Sequence, residues 1–176
     1  MGSSTQKGTK NAADDELLQR LLTELNRRLP EAVQRDSDLL IPAMRGLPRG
    51  LHAMAATHRL DLSMALDDLG WHFYNFYHQE FAAETVWGLR ELEADEVTEI
   101  FERARALVEP HWDEIGSLRT IGVKEFVDWY AESGLESALD VFNRRLWAIC
   151  GHSPYGLMQF WLDYARRYPE RLIDDR

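Results

Sequence analysis

The stretch DLSMALDDLGWHFYNFYHQEF, residues 61–81, decides how this chain folds. It holds Trp71, Phe73, Tyr74, Phe76, Tyr77 and Phe81, six of the nineteen aromatic residues in the protein. Side chains of that size bury large areas and need other elements packed around them. Met64, Leu66 and Leu69 approach the cluster at helical spacing. The stretch is therefore expected to be one central aromatic helix. No run of residues alternates apolar and polar as a half-buried strand would. The expected fold class is all-α: a single-domain bundle of about seven to nine helices around the aromatic one.

Upstream, residues 51–60 form a helix by period, with Asp61 or Ser63 as the cap of the next. Residues 30–50 carry Pro30, Pro42, Pro48, Gly46 and Gly50, which suits two short segments with turns. Asp14 and Asp15 open a first helix whose stripe is Leu17, Leu18, Leu21, Leu22, Leu25 and Leu29, ended by Pro30. That stripe is either core or the seam of a homodimer. Residues 1–13 offer almost nothing to bury and are expected to be a disordered tail, leaving 14–176 as one helical domain.

Downstream, residues 82–93 suit a short helix, and Asp95 can cap the next, which Pro110 stops. Residues 111–122, HWDEIGSLRTIG, are expected to connect with one helical turn at most. Helices over 123–132 and 135–150 follow, separated by Gly134. Ser153 and Pro154 are expected to start the last helix, with proline at its first position.

Composition excludes several function classes. No apolar run reaches the roughly 18 residues of a membrane helix. The first residues lack the apolar core of a secretory signal, so a cytoplasmic protein is expected. Cys150 is the single cysteine, which excludes an internal disulfide framework and a cysteine zinc cage. The net charge is −10, and its distribution is uneven: residues 61–140 hold nineteen acids against five bases, or 5 − 19 = −14. Such a field repels nucleic acid and attracts basic partners.

No pattern of catalytic residues stands out. His52 and His58, like His72 and His78, are six apart and point about 120° from each other on a helix. No HExxH or Glu-x-x-His pair occurs, so no metal site or cofactor is expected. Asp68 and His72 are spaced for a salt-bridged pair on one face. His111, Asp113 and Glu114 are near-consecutive and point different ways. Cys150 sits on an apolar face as a small hydrophobe. No serine has a nucleophile-elbow context, and no glycine loop could cradle a phosphate.

The carboxylates carry the better functional signal. Asp95, Glu99 and Glu102 share one helix face, with Glu91, Glu93 and Glu96 beside them. Glu125, Asp128 and Glu132 repeat the arrangement. Rows of carboxylates on rigid helices can imitate a row of backbone phosphates to a protein that binds DNA, although acidic solvated faces are also common in soluble proteins.

Residues 47–108 carry a familiar pattern: Leu47-Pro48 with the helix after it, Asp68-Leu69-Gly70-Trp71-His72-Phe73-Tyr74-Asn75, then Phe81-Ala82-Ala83-Glu84-Thr85-Val86 and Ala94-Asp95-Glu96-Val97. This run resembles the domain of unknown function best known from the bacterial DNA-mimic protein (Dmp) family. Gly70, Trp71, Phe73 and Asn75 fit that family's core. Asp68-Leu69 stands where Asn-Gly is usual, His72 where Gln is common, and Phe76-Tyr77 follows the Asn. The resemblance implies an all-helical, dimeric protein. In the best-known member it implies an acidic surface that occupies the DNA-binding face of a transcription regulator. Within the core, Gly70 would permit close helix approach and Asn75 would cap or bond a neighbouring helix; neither is catalytic.

Three functions follow as expectations. The first is a non-enzymatic acidic module binding a basic protein partner as a DNA mimic, through Glu91, Glu93, Asp95, Glu96, Glu99, Glu102, Glu125, Asp128 and Glu132. The second is an immunity or antitoxin-like protein using the same surface against a basic effector. The third is a ligand-binding or enzymatic pocket among Trp71, His72, Tyr74, His78 and Glu84.

Overall fold

A computed structural model describes residues 11–173, and every regular element among them is helical. In chain order they are α1 Ala12–Arg28, α2 Glu31–Gln34, α3 Ser37–Arg45, α4 Arg49–Leu66, α5 Leu69–Asn75, α6 Gln79–Glu91, α7 Asp95–Val108, α8 Trp112–Ile121, α9 Val123–Glu132, α10 Leu135–Gly151 and α11 Met158–Arg167. Short 3-10 turns cover Glu109–His111 and Pro169–Leu172. Of the tail expected over 1–13, residues 1–10 lie outside the described residues. Asn11 accepts the Ala13 amide through its side chain and starts α1.

The all-helical bundle forms, but residues 61–81 are not one helix. They supply the end of α4, all of α5 and the start of α6. Polar side chains make the breaks. The Asp68 carboxylate accepts the Trp71 amide at 2.9 Å and starts α5. The His78 ring accepts the Phe81 amide at 3.4 Å and starts α6. Local side-chain acceptors of this kind end one helix and begin another more cheaply than a continuous helix could bury aromatics on every side. From α10, the Asn143 side chain accepts the Leu69 amide at 3.0 Å, and the Trp147 indole donates to the Asp67 carbonyl at 3.2 Å.

The central helix is α4, and its buried residues are mostly small: Gly50, Ala53, Ala56, Thr57, Asp61 and Ser63 beside Leu51, Met54, Leu60 and Met64. Asp61 and Ser63 therefore lie inside a helix and do not cap one. Small side chains let neighbours close in. A Cβ on Gly88 of α6 would stand 2.9 Å from the Ala53 carbonyl oxygen. Around α4 the core has three parts. The largest joins α5, α7, α8, α9 and α10 through residues such as Phe73, Phe101, Phe126 and Leu139. A second holds Leu21 and Leu25 of α1 against Trp161, Tyr164 and Ala165 of α11. The third is Leu29, Leu40, Ile41, Met44 and Phe81. The leucine stripe of α1 is thus core within this chain.

Three further boundaries differ from expectation. Residues 112–121 form a full helix, because Pro110 sits in a one-turn 3-10 segment where its missing N–H leaves no bond unmade, and Trp112 and Ile115 then bury into the core. Asp95 is the first residue of α7 and not its cap, which is Ala94 without a side-chain bond. Ser153 and Pro154 belong to a turn, and α11 starts at Met158. The buried Asp61 carboxylate accepts the Leu157 amide in that turn at 2.7 Å.

Candidate functional site

The aromatic motif is structural. A Cβ on Gly70 would lie 2.2 Å from Tyr130 Cζ, so only glycine lets α5 meet α9. Phe73 is buried and stacks on Phe101 with centroids 5.4 Å apart. Trp71 is partly buried, edge-on to Phe126. Asn75 departs from expectation: it is exposed, and its backbone carbonyl, not its side chain, takes a bond from Arg119 at 2.9 Å.

Asp68 and His72 do not pair. Asp68 caps α5 and accepts from the Tyr130 hydroxyl at 3.3 Å. His72 is buried, with Nδ1 at 3.0 Å from Ser63 Oγ, whose hydroxyl donates to the Arg59 carbonyl at 2.8 Å. The serine has one hydrogen, so the ring nitrogen donates to it, and His72 is the neutral Nδ1–H tautomer. Burial pushes its pKa down to about 3.

The pocket expected among Trp71, His72, Tyr74, His78 and Glu84 does not assemble. His72 points into the core, and His78 caps α6 with Asp38 at 3.6 Å. Glu84 turns the other way. Its buried carboxylate lies 2.7 Å from His52 Nε2 and accepts Arg45 Nε at 2.8 Å. Among the described residues no three His, Cys, Asp or Glu side chains are grouped to hold a metal ion. Cys150 is partly buried, and burial raises its thiol to about 12, far from a nucleophile.

The acidic residues divide into two sets. Those around α6 and α7 are mostly paired: Glu91, Glu93 and Glu96 with bases from outside the acidic window, Glu99 and Glu102 with Arg103 and Arg90 inside it. Glu91 is not on an open face: its side chain is 7% exposed and binds Arg49 at 2.6 Å, Arg171 at 2.9 Å and the Tyr164 hydroxyl at 2.5 Å. Glu93 binds Arg167 and the Tyr168 hydroxyl. Glu96 reaches Arg145 of α10 at 3.2 Å, and Glu102 reaches Arg90 of α6 at 2.5 Å. Glu99 pairs with Arg103 along α7 at 3.4 Å. Only Asp95 of this group has no ion pair among the described residues.

The second set runs from the Glu109–His111 turn through α8 and α9 to the start of α10. Residues 109–140 hold eight acids and two bases, or 2 − 8 = −6. Of the two bases, Arg119 is turned onto the carbonyls of Tyr74 and Asn75. Lys124 pairs with Asp128 at 2.5 Å. Glu109, Asp113, Glu125, Glu132 and Glu136 are exposed and have no ion pair among the described residues. Beside them Ile121, Val123 and Val127 expose 65%, 56% and 45% of their surface. Val123 and Val127 are four apart on α9 and share a face. The sequence reading of residues 111–122 as a connector missed this apolar element. The signal was present as β-branched residues flanking Gly122.

One cleft, of about 830 Å³, opens between the α3–α4 turn, α6 and the C-terminal 3-10 turn. Arg45, Arg49, His52, Trp87 and Arg171 line it. The His52 and Trp87 rings stack at 4.0 Å. Among the described residues no helix is long and apolar enough to cross a membrane.

The family model described as DMP19-like protein matches residues 45–168. The match runs from the last residue of α3 to the end of α11 and so takes in the acidic helices, the aromatic motif and most of the cleft. No curated protein and no solved structure matches the chain.

Proposed function

Because this chain belongs to the DMP19-like protein family, we propose that it works by presenting carboxylates to a basic protein partner in place of DNA. In this reading it has no catalytic task. The partner is a protein with a Lys- and Arg-rich surface, such as the DNA-binding domain of a transcription regulator. The observation that carries the proposal is the exposed acidic set on α8, α9 and α10, in which Lys124 on Asp128 is the one ion pair to a base of α8 or α9 among the described residues, besides His111 of the preceding turn on Glu114. Glu125, Asp128 and Glu132 rise about 4.5 and 6 Å between successive residues, a charge row on a rigid support. Long-range attraction from such a row speeds encounter, while contact area sets lifetime. Ile121, Val123 and Val127 supply that area, as a desolvated centre inside a charged rim. The α6–α7 carboxylates are the weaker candidates, because a partner would have to displace Arg90, Arg145 and Arg167 first.

A pull-down from native extract at low salt, eluted by a salt gradient, tests this. The expected result is one DNA-binding protein, released by salt and competed by duplex DNA. Its recovery should fall at least tenfold with Glu125→Lys, Asp128→Lys and Glu132→Lys combined. Glu99→Gln with Glu102→Gln should leave it near the native level. Undiminished recovery with the triple reversal would refute the α9 surface. Recovery of a nuclease-like effector that DNA does not displace would replace mimicry with neutralisation of a toxin.

A further inference from the structure

The cleft beside α4 has a composition opposite to the rest of the molecule. In a chain of net charge −10, three guanidinium groups, Arg45, Arg49 and Arg171, line one concave surface. Two buried carboxylates, Glu84 and Glu91, hold them from behind. Burying a carboxylate with its arginine seldom stabilises a fold more than apolar packing would. What such a pair does provide is a guanidinium fixed in orientation. Arg45 also meets Glu80 at 2.7 Å, so three arginines face three carboxylates, with the acids on the inner side and the guanidiniums toward the cleft.

The guanidiniums also keep donors in reserve. Each carries five N–H groups. Arg49 reaches Glu91 through Nη2 alone, and Arg171 reaches Glu91 and Tyr164 through Nη1 alone. Arg45 uses Nε and Nη2, on Glu84 and Glu80. The remaining donors have no acceptor among the described residues. The side chains of Arg45, Arg49 and Arg171 are 49%, 63% and 40% exposed, so those donors are reachable. The same cleft takes in Leu47, Pro48 and Arg49 at the N-terminus of α4, where Pro48 offers no capping side chain and the helix dipole is positive. Trp87, backed by His52, forms a flat wall.

We propose that this cleft binds a small molecule bearing an oxyanion, a phosphoryl or carboxylate group, on a flat ring. Forked guanidiniums match the oxygens of either group. The ring lies against Trp87. Glu170 at the rim opposes the bound charge and limits affinity. The site is separate from the α8–α9 surface and stands or falls independently of it.

Three probes separate the sources of the oxyanion: inorganic phosphate, phenyl phosphate and benzoate, each titrated at fixed ionic strength into the 15N-labelled full chain. Saturable shifts are expected at the Arg49, Gly50 and Leu51 amides and at the Trp87 indole N–H, which Trp87→Phe identifies. Phenyl phosphate should bind more tightly than inorganic phosphate if the ring contributes. Tighter phenyl phosphate than benzoate marks a phosphoryl ligand, and the reverse marks a carboxylate. Arg49→Gln should weaken binding at least tenfold with an unchanged helical spectrum. Glu170→Gln, at an exposed rim residue, should tighten it about twofold by removing a like charge. No saturable shift with any probe would overturn the proposal. So would shifts that chloride reproduces at the same ionic strength, or affinity that neither Arg49→Gln nor Glu170→Gln changes.

Discussion

At residue scale, two positions show a side chain chosen by its surroundings. Gly70 has no room for a methyl group, because Tyr130 already fills the space 2.2 Å away. Gly70→Ala is expected to cost about 1–3 kcal/mol by overpacking, read as a lower urea midpoint with unchanged slope. His72 is the second. Its folded pKa is depressed from 6.5 to about 3 by burial, so the unfolded chain binds the extra proton first. The stability it contributes is whole above pH 6.5 and falls as pH drops from there toward 3, by at most about 1.4 kcal/mol per pH unit. His52 and His58 are also lowered by burial and act in the same direction. Asp61 is raised by burial and has the opposite sign. Urea unfolding at pH 7.5, 6.5 and 5.5 should therefore show little change between the first two and a clear loss by the third, and His72→Gln should flatten that slope. An equal slope in that variant would assign the loss to other groups.

At element scale, the contact between α4 and α6 holds the three parts of the core together. It depends on small surfaces: Gly88 faces the Ala53 carbonyl, Ala56 and Thr57 at 2.9–3.1 Å from where its Cβ would be. A branched side chain there must push the helices apart along their length, since packed interiors do not deform locally. Gly88→Val is expected to lower stability by about 2–3 kcal/mol or more. It should also expose apolar surface to a dye such as ANS. The same argument explains what was legible in the helices. The periods of α1, α7, α9 and α10 were clear because each buries one stripe and leaves the other face wet. The division of residues 61–81 was not, because apolar residues there face three different neighbours, and the breaks come from Asp68 and His78 finding amides to cap.

At the scale of the whole molecule, the acids of one sequence window separate into two roles. Glu91 sits among Arg49, Arg171 and Tyr164 with 7% of its side chain exposed. Glu91→Ala would leave two guanidiniums and a hydroxyl without their shared acceptor, and should destabilise the fold by about 1–3 kcal/mol. Exposed charges away from packing change stability by about half a kcal/mol or less. Glu125, Asp128 and Glu132 are such residues, so their combined reversal should leave the thermal midpoint within a few degrees while removing the partner. Differential scanning calorimetry on both variants separates the structural carboxylates from those offered to a partner. Loss of fold in the α9 triple variant would remove the basis for that separation.

The sequence by itself determined the fold class, most helix positions, the negative charge and the family. Each follows from local properties: hydrophobic period, composition and a short aromatic core around Gly70. Tertiary structure decided which carboxylates are open. Arg45, Arg49, Arg145, Arg167 and Arg171 all lie outside residues 61–140, yet they come back to Glu80, Glu84, Glu91, Glu93 and Glu96. Charge counted along a chain is therefore not charge in space. Ion pairs are set by distances of a few ångströms between side chains brought together by packing, and no linear window contains that information.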